Sequence, residues 1–264
     1  SVAPTTCSGR NAPPVGPASP PAAAARYTAT DPVRLIDTRF GTGTAKEKLA
    51  GGCTLVVDPG LPLSATAVVV NLTAVFPATD GFVTAYPCGV ERPTVSAVQA
   101  LVGRVVAGST IVPLGADGTF CVYSHATTDM VVDLFGWYAP DSGEKFEPVN
   151  PVPLYDSRLG PLLAPGTTVR IPVVTDGRAP AGAMAAALTI HAVSSTGGGF
   201  ATVYPCAAQL PLVSSINVMD ASGVTNHAEV ALSVDGEVCV YVSTSMHIVV
   251  DLSGWYGAGA TTEF

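Results

Sequence analysis

The sequence predicts an all-β protein of two tandem, pseudo-symmetric domains, each a β-sandwich or barrel-like unit of about eight strands. Three observations carry this. The first is an internal repeat. Leu35-Ile36-Asp37-Thr38-Arg39 returns as Leu154-Tyr155-Asp156-Ser157-Arg158, Tyr86-Pro87-Cys88 returns as Tyr204-Pro205-Cys206, and Val131–Tyr138 returns as Val249–Tyr256. The offset is nearly constant (156 − 37 = 119; 206 − 88 = 118; 251 − 133 = 118), as expected of one fold unit duplicated. The second is that the apolar or alternating runs are short and are punctuated by Gly, Pro and Asp, the pattern of strands and turns. The third is a duplicated cysteine spacing, Cys88 to Cys121 and Cys206 to Cys239.

Taken in order, residues 1–26 hold six prolines and an Ala-rich stretch, the composition of a semi-rigid arm. The first repeat, 27–140, reads as strands near Val33–Thr38, Thr54–Val57, Ala65–Ala74, Gly81–Tyr86, Thr94–Leu101, Ser109–Leu114, Thr119–Tyr123 and Met130–Tyr138. Asp117-Gly118 and Asp235-Gly236 sit at equivalent places and read as tight hairpin turns, because such turns need positive φ. A Pro- and charge-containing stretch, Ala139 to Pro151, reads as the linker into the second repeat within 141–264. There Thr168–Val173, Ala185–Val193 and Ala201–Tyr204 are the counterpart strands. The Ala-rich run Ala181–Leu188 is assigned to a strand because its copy, Thr66–Leu72, is rich in valine.

The six cysteines point to an oxidising compartment. The repeat favours Cys88–Cys121 and Cys206–Cys239 as bridges within each copy, leaving Cys7–Cys53 to tie the arm to the first repeat. The first residues carry no signal-peptide pattern, so a mature secreted chain is expected. Only 12% of residues are charged, the mean hydropathy is +0.42, and no apolar run reaches the ~18 residues of a membrane helix. The net charge of −8, with three lysines, disfavours nucleic acid and other polyanions. Neutral glycans or proteins are better partners.

A polar set recurs in both copies. Asp37 and Arg39 share a strand face, as do Asp156 and Arg158. Asp133 and Asp251 lie in strands apolar on both faces, so both read as buried carboxylates needing partners. Arg39 is expected on Asp133 or Asp37, and Arg158 on Asp251 or Asp156, clasping the first strand of each copy to the last. The same residues are candidates for a polar sugar-binding floor. Trp137 and Trp255, and likewise Tyr86 and Tyr204, are either core plugs or stacking platforms.

Catalytic readings are weaker. Asp37-Thr38 and Asp156-Ser157 suggest the paired Asp-Thr/Ser of two-lobed aspartic proteases, but Arg39 and Arg158 stand where Gly is needed. A cation there keeps both acids ionised, whereas the dyad must share a proton. There is no Gly-x-Ser-x-Gly elbow, and His125, His191, His227 and His247 have Ser243, Thr73, Ser109 and Asp129 at their equivalent positions. No cluster has metal-ligand spacing, and no catalytic residue, metal or cofactor is expected.

Together, Arg34-Leu35-x-Asp37-Thr38-Arg39, Asn71-Leu72-Thr73, Gly81-Phe82-x-Thr84-x-Tyr86-Pro87-Cys88-Gly89, Pro93-x-x-Ser96 and Asp133-x-x-Gly136-Trp137-Tyr138 resemble a repeat of secreted actinobacterial proteins. That repeat often occurs in tandem and is often attached to extracellular peptidases, amidases and sugar hydrolases. The match is strong over 27–139 and weaker over 146–257, where Pro153 replaces Arg34 and Thr189-Ile190-His191 replaces Asn71-Leu72-Thr73. The resemblance implies an extracytoplasmic accessory module.

The expectation is therefore a secreted, non-enzymatic module binding at the cell envelope, on neutral glycan. The alternatives are a subunit of an extracellular protein assembly, or a hydrolase whose carboxylates serve catalysis. Function is expected where the copies differ: Arg34 against Pro153, Asn71-x-Thr73 against Thr189-x-His191, and Glu91-Arg92 against Gln209-Leu210. Thiol titration of the unreduced, denatured protein should detect no free cysteine; six reactive thiols would overturn the oxidising-compartment reading.

Overall fold

A computed structural model describes residues 24–175 and 178–263, with the backbone of a short strand at Thr5–Cys7. The chain divides into two compact units. Arg34–Pro140 forms the body of the first, and Ala24–Val33 groups with Asp141–Phe264 in the second. Strand β1 (Thr5–Cys7) is followed by β2 (Arg26–Asp37), which begins in the second unit and ends in the first. Then come β3 (Cys53–Val57), β4 (Ala67–Val75), β5 (Gly81–Pro87), β6 (Val98–Ala100), β7 (Val105–Pro113), β8 (Phe120–Ser124) and β9 (Asp129–Ala139). The second copy supplies β10 (Phe146–Asp156), a 3-10 turn at Ser157–Leu159, β11 (Thr168–Pro172), β12 (Ala183–Val193), β13 (Gly199–Pro205), β14 (Ile216–Val218), β15 (Val224–Ala231), β16 (Glu237–Val242) and β17 (His247–Gly257).

Each copy is a two-sheet sandwich rather than a closed barrel. The first has sheets β1-β3-β8-β5-β6 and β2-β9-β4-β7; the second has β11-β16-β13-β14 and β10-β17-β12-β15. The neighbour order is the same in both copies, with β1 as an extra edge strand on the first. In the first unit Leu55, Val83 and Val122 from one sheet meet Val70, Leu72, Val132 and Leu134 from the other, and Trp137 packs against this core. Alternation explains which side chains enter it: β4 sends Val68, Val70 and Leu72 inward and turns Val69, Asn71 and Thr73 outward. The outward residues are also buried, which accounts for the valine-rich character of this central strand on both faces, interrupted only by Asn71 and Thr73.

Two expectations change at the connections. The Asp-Gly turns form, with Gly118 at φ 78° and Gly236 at φ 73°. Gly118 N–H donates to the Gly115 carbonyl, and Asp117 Oδ1 accepts from the backbone and hydroxyl of Thr119. The flanking strands, however, lie in different sheets: β7 pairs with β4, and β8 pairs with β3 and β5. The turn therefore carries the chain across the sandwich and does not close a hairpin of neighbouring long strands. The second change concerns the linker, because Phe146–Asp156 is strand β10. Its Pro148, Pro151 and Pro153 are accommodated because β10 is an edge strand, where a missing N–H leaves no inner ladder broken.

Cys88–Cys121 and Cys206–Cys239 are both disulfides, as expected. The register places Cys7 opposite Cys53, but the Cys7 side chain lies outside the described residues. In the second unit, Tyr27 exchanges backbone hydrogen bonds with Glu144, and its ring centroid lies 4.6 Å from that of Tyr256. Phe146 packs on the same ring at 4.9 Å and covers Gly254, where any Cβ would collide with it. The Tyr27 hydroxyl donates to the Glu229 carbonyl at 3.1 Å. This anchor fixes Ala24–Val33 in the second unit.

Replacing Tyr27 by Ala should destabilise the second unit by about 3 kcal/mol, the lower end for deleting a buried aromatic. Thermal melting should show that loss. Reducing the two bridges should cost each unit roughly 3–4 kcal/mol on the chain-entropy account of a loop of this length.

Candidate functional site

The recurring acids and arginines form a compact ionic group in the first unit. Arg39 Nε and Nη2 donate to Asp37 Oδ1 and Oδ2 at 2.8 and 2.7 Å. Asp133, 0% exposed, is held by Arg34: Nε and Nη2 reach its two carboxylate oxygens at 2.8 and 3.1 Å, while Nη1 reaches Asp37 Oδ2 at 3.0 Å. The clasp between the first and last strands is therefore present, and its cation is Arg34. Arg39 takes the Asp37 alternative only. Burial pushes the Asp37 carboxyl up, but the hydrogen bonds and charge of Arg39, with the charge of Arg34, outweigh it and hold its pKa below the usual carboxylate range.

The second unit lacks this closed group because Pro153 stands where Arg34 does. Arg158 pairs with Asp156 at 2.9 and 2.7 Å at the surface, and its side-chain and backbone hydrogen bonds draw Asp156 down to about 2. Asp251 was expected to be buried and is not. Its side chain is 31% exposed and faces His191 Nε2 at 3.4 Å, while Arg158 stays on Asp156. A carboxylate left half in water needs no dedicated arginine, so the loss of the cation and the gain of exposure go together.

Other shared motifs are also explained by folding. The Thr38 hydroxyl accepts from the Met130 backbone at 3.0 Å, and the Ser157 hydroxyl accepts from Ile248 at 2.8 Å, each pinning the first strand to the last. Trp255 is buried, and Trp137 is half-buried against the core, so neither forms a surface platform. Tyr86 and Tyr204 face away from the core but are buried against Cys88–Cys121 and Cys206–Cys239.

The surface feature that sequence reasoning missed lies on the outer face of the disulfide-bearing sheet. On β5, Phe82, Thr84 and Tyr86 share this face, and on β8 Cys121 and Tyr123 lie opposite Tyr86 and Thr84. The segment after Cys88 folds over the far end of the face, and the Thr84 hydroxyl donates to the Val95 carbonyl at 2.6 Å. What stays open is a strip. Half-buried Phe82 stacks on exposed His125 at 5.2 Å, and its ring lies 6.0 Å from that of half-buried Tyr123. Gln99 on β6 is the direct cross-strand neighbour of Phe82, and its amide donates to Ser96 Oγ at 3.2 Å. Arg92 lies over the Tyr123 ring, 4.0 Å from its centroid. Gly81 makes room for His125, since a Cβ there would meet Nδ1 at 2.7 Å.

The second copy repeats most of this strip. Phe200 and Tyr241 are 6.0 Å apart, and Asn217 stands opposite Phe200 with its amide oxygen accepting from Ser214 Oγ at 3.1 Å. The Thr202 hydroxyl donates to the Val213 carbonyl at 2.7 Å, as Thr84 does to Val95. His125 and Arg92 become Ser243 and Leu210. Both strips combine a ring pair with a positioned side-chain amide, groups able to stack and to hydrogen-bond. No group of three or more His, Cys, Asp or Glu side chains suited to a metal is found among the described residues.

No protein-family model matches the chain, and no curated protein matches it. Among solved structures it is similar to the N-terminal CBM22-1-CBM22-2 tandem domain of Xyn10C from Paenibacillus barcinonensis, at 11% identity and TM-score 0.22, covering 88% of this chain and 94% of that one. It is also similar to the cycloalternan-forming enzyme from Listeria monocytogenes in complex with pentasaccharide substrate, at 13% identity and TM-score 0.22, covering 88% and 22%. A third similarity is to YhhW from Escherichia coli, at 8% identity and TM-score 0.21, covering 91% and 100%.

Replacing Arg34 by Met should leave the buried Asp133 carboxylate without its main cation and cost about 3 kcal/mol of stability in the first unit. An unchanged melting temperature would show that the clasp is dispensable. The Asp37 pKa is lowered on folding, so its stabilisation is complete above the unfolded value and is lost as pH falls through the folded one. Denaturant unfolding followed downward from about pH 4 should show the first unit weakening, with the slope reduced in Asp37→Asn.

Proposed function

We propose that this chain is a secreted, non-catalytic binding module that holds glycan at the cell envelope, with one platform in each repeat. The observation that carries the reading is the outer-face strip of Phe82 and Tyr123 beside Gln99, repeated as Phe200 and Tyr241 beside Asn217. A pyranose presents C–H groups on its faces and hydroxyls around its rim. Aromatic rings with a neighbouring amide match both, following the general rule of an apolar site with a few placed polar groups. The second platform has no charged group among these positions, which suits the neutral glycan expected from the low charge of the chain.

The remaining parts of the reading have separate support. Two disulfides favour an oxidising, extracytoplasmic setting. The likeness of the repeat to modules of secreted actinobacterial proteins favours an envelope role. The acids most open to a catalytic interpretation, Asp37, Asp133 and Asp156, each carry an arginine partner that favours their ionised form. One observation favours a second reading, a subunit of a surface assembly: Phe40 and Leu159 occupy equivalent places in the two copies and are 71% and 92% exposed.

Two platforms gain avidity when both engage one polymer. On purified cell wall or insoluble neutral polysaccharide, Phe82→Ala and Phe200→Ala should each weaken retention several-fold, and the double variant by about 10²-fold. Absence of retention on any such polymer, with concentration-dependent oligomers that Phe40→Ser and Leu159→Ser abolish, would replace this reading with the assembly one.

A further inference from the structure

The two platforms differ in one charge, and the setting of that charge points to a ligand. Arg92 is exposed, lies over the Tyr123 ring and makes no ion pair among the described residues. Acids are not scarce, since Asp and Glu total 20 against 12 Lys and Arg. Arg26, Arg34, Arg39, Arg158 and Arg170 each hold a carboxylate. Glu91, the preceding residue, is exposed and makes no pair with Arg92.

The guanidinium is held by the ring and by a segment anchored at Cys88–Cys121 and at the Thr84–Val95 hydrogen bond. Neither contact uses its N–H donors, which form a planar fork matched to a carboxylate. A cation over an aromatic ring also extends the stacking surface, so its donors sit at the rim of the Phe82–His125–Tyr123 strip. The second copy keeps the ring pair and the amide but has Leu210 instead.

We infer that the first platform takes a glycan bearing a carboxylate, a uronic-acid-type sugar, with Arg92 receiving the acid group, while the second platform takes neutral sugar. This rests on the glycan-binding reading above. It also narrows the expectation of a purely neutral ligand, because the net charge of −8 acts through solvent and is screened within ~10 Å at 0.1 M salt, whereas the Arg92 contact is local.

The test uses the full chain and two matched probes, tetragalacturonic acid and its methyl ester, which differ in charge at the same ring positions. Wild-type protein should bind the acid at least tenfold more tightly than the ester, and salt should weaken only the acid. Arg92→Leu, which copies the second repeat, should abolish the preference by weakening the acid far more than the ester; Arg92→Lys should restore part of it. Introducing the reverse change, Leu210→Arg, should create an acid preference that Phe200→Ala removes. Equal binding of acid and ester by wild type, or a preference unchanged in Arg92→Leu, would overturn the inference while leaving retention on neutral polymers intact. Failure to bind any glycan, acidic or neutral, would overturn both this inference and the reading it rests on.

Discussion

The candidate surface depends on a covalent bond placed outside the hydrophobic core. Cys88 lies just past the end of β5 and Cys121 lies in β8, and their bridge packs with Tyr86, Val56, Val90 and Tyr123 on the outer face. The chain after Cys88 has little of the sandwich interior to bury, so burial alone would not repay the entropy of ordering it. The bridge removes much of that entropy at its source. Once the segment is held down, Val95 presents its carbonyl to Thr84, and Arg92 comes to rest over Tyr123. Cys206–Cys239 sets the same order for Thr202, Val213 and Tyr241. One bond in each copy thus separates the covered half of the sheet face from the open half.

The copies also show how burial governs electrostatic design. Asp133 is completely buried, and a bidentate arginine answers it; Asp251, at the equivalent position, meets water and faces His191, while Arg158 bonds Asp156 instead. The two sites have the same strand, register and acid, so the difference follows from solvent access and not from a different task. The shared Asp-Thr/Ser-Arg motif serves a further structural purpose, since the hydroxyl of Thr38 or Ser157 receives a backbone N–H from the last strand. The same motif thus fastens the first strand to the last in both copies.

Much of the architecture was legible in the sequence. Alternation within β5 and β8, the valine run of β4 and the 118-residue offset (206 − 88) gave all eight strand positions of the first repeat and the intra-repeat disulfides. Other features were hidden for identifiable reasons. Prolines in Phe146–Asp156 resemble a linker unless the strand is known to be an edge, and edge status is a property of the whole sheet. Arg34 stood out as a difference between copies, but pairing a shared acid with a shared base pointed to Arg39, since cross-strand register cannot be read from spacing. The Phe82 strip left a usable signal: Phe82, Thr84 and Tyr86 alternate onto the face marked by the disulfide, and Cys121, Tyr123 and His125 do the same. The tryptophans lie elsewhere: Trp255 is buried, and Trp137 is half-buried against the core.

The prolines of β10 have one more consequence. An edge strand presents unpaired N–H groups that can template the addition of another chain. Pro148, Pro151 and Pro153 remove three of those donors from the rim of the β10-β17-β12-β15 sheet. The net charge of −8 gives copies a mutual repulsion that salt screens within ~10 Å at 0.1 M, so it does not by itself guard an edge at contact distance. At this rim the backbone itself therefore adds a guard against strand-on-strand growth.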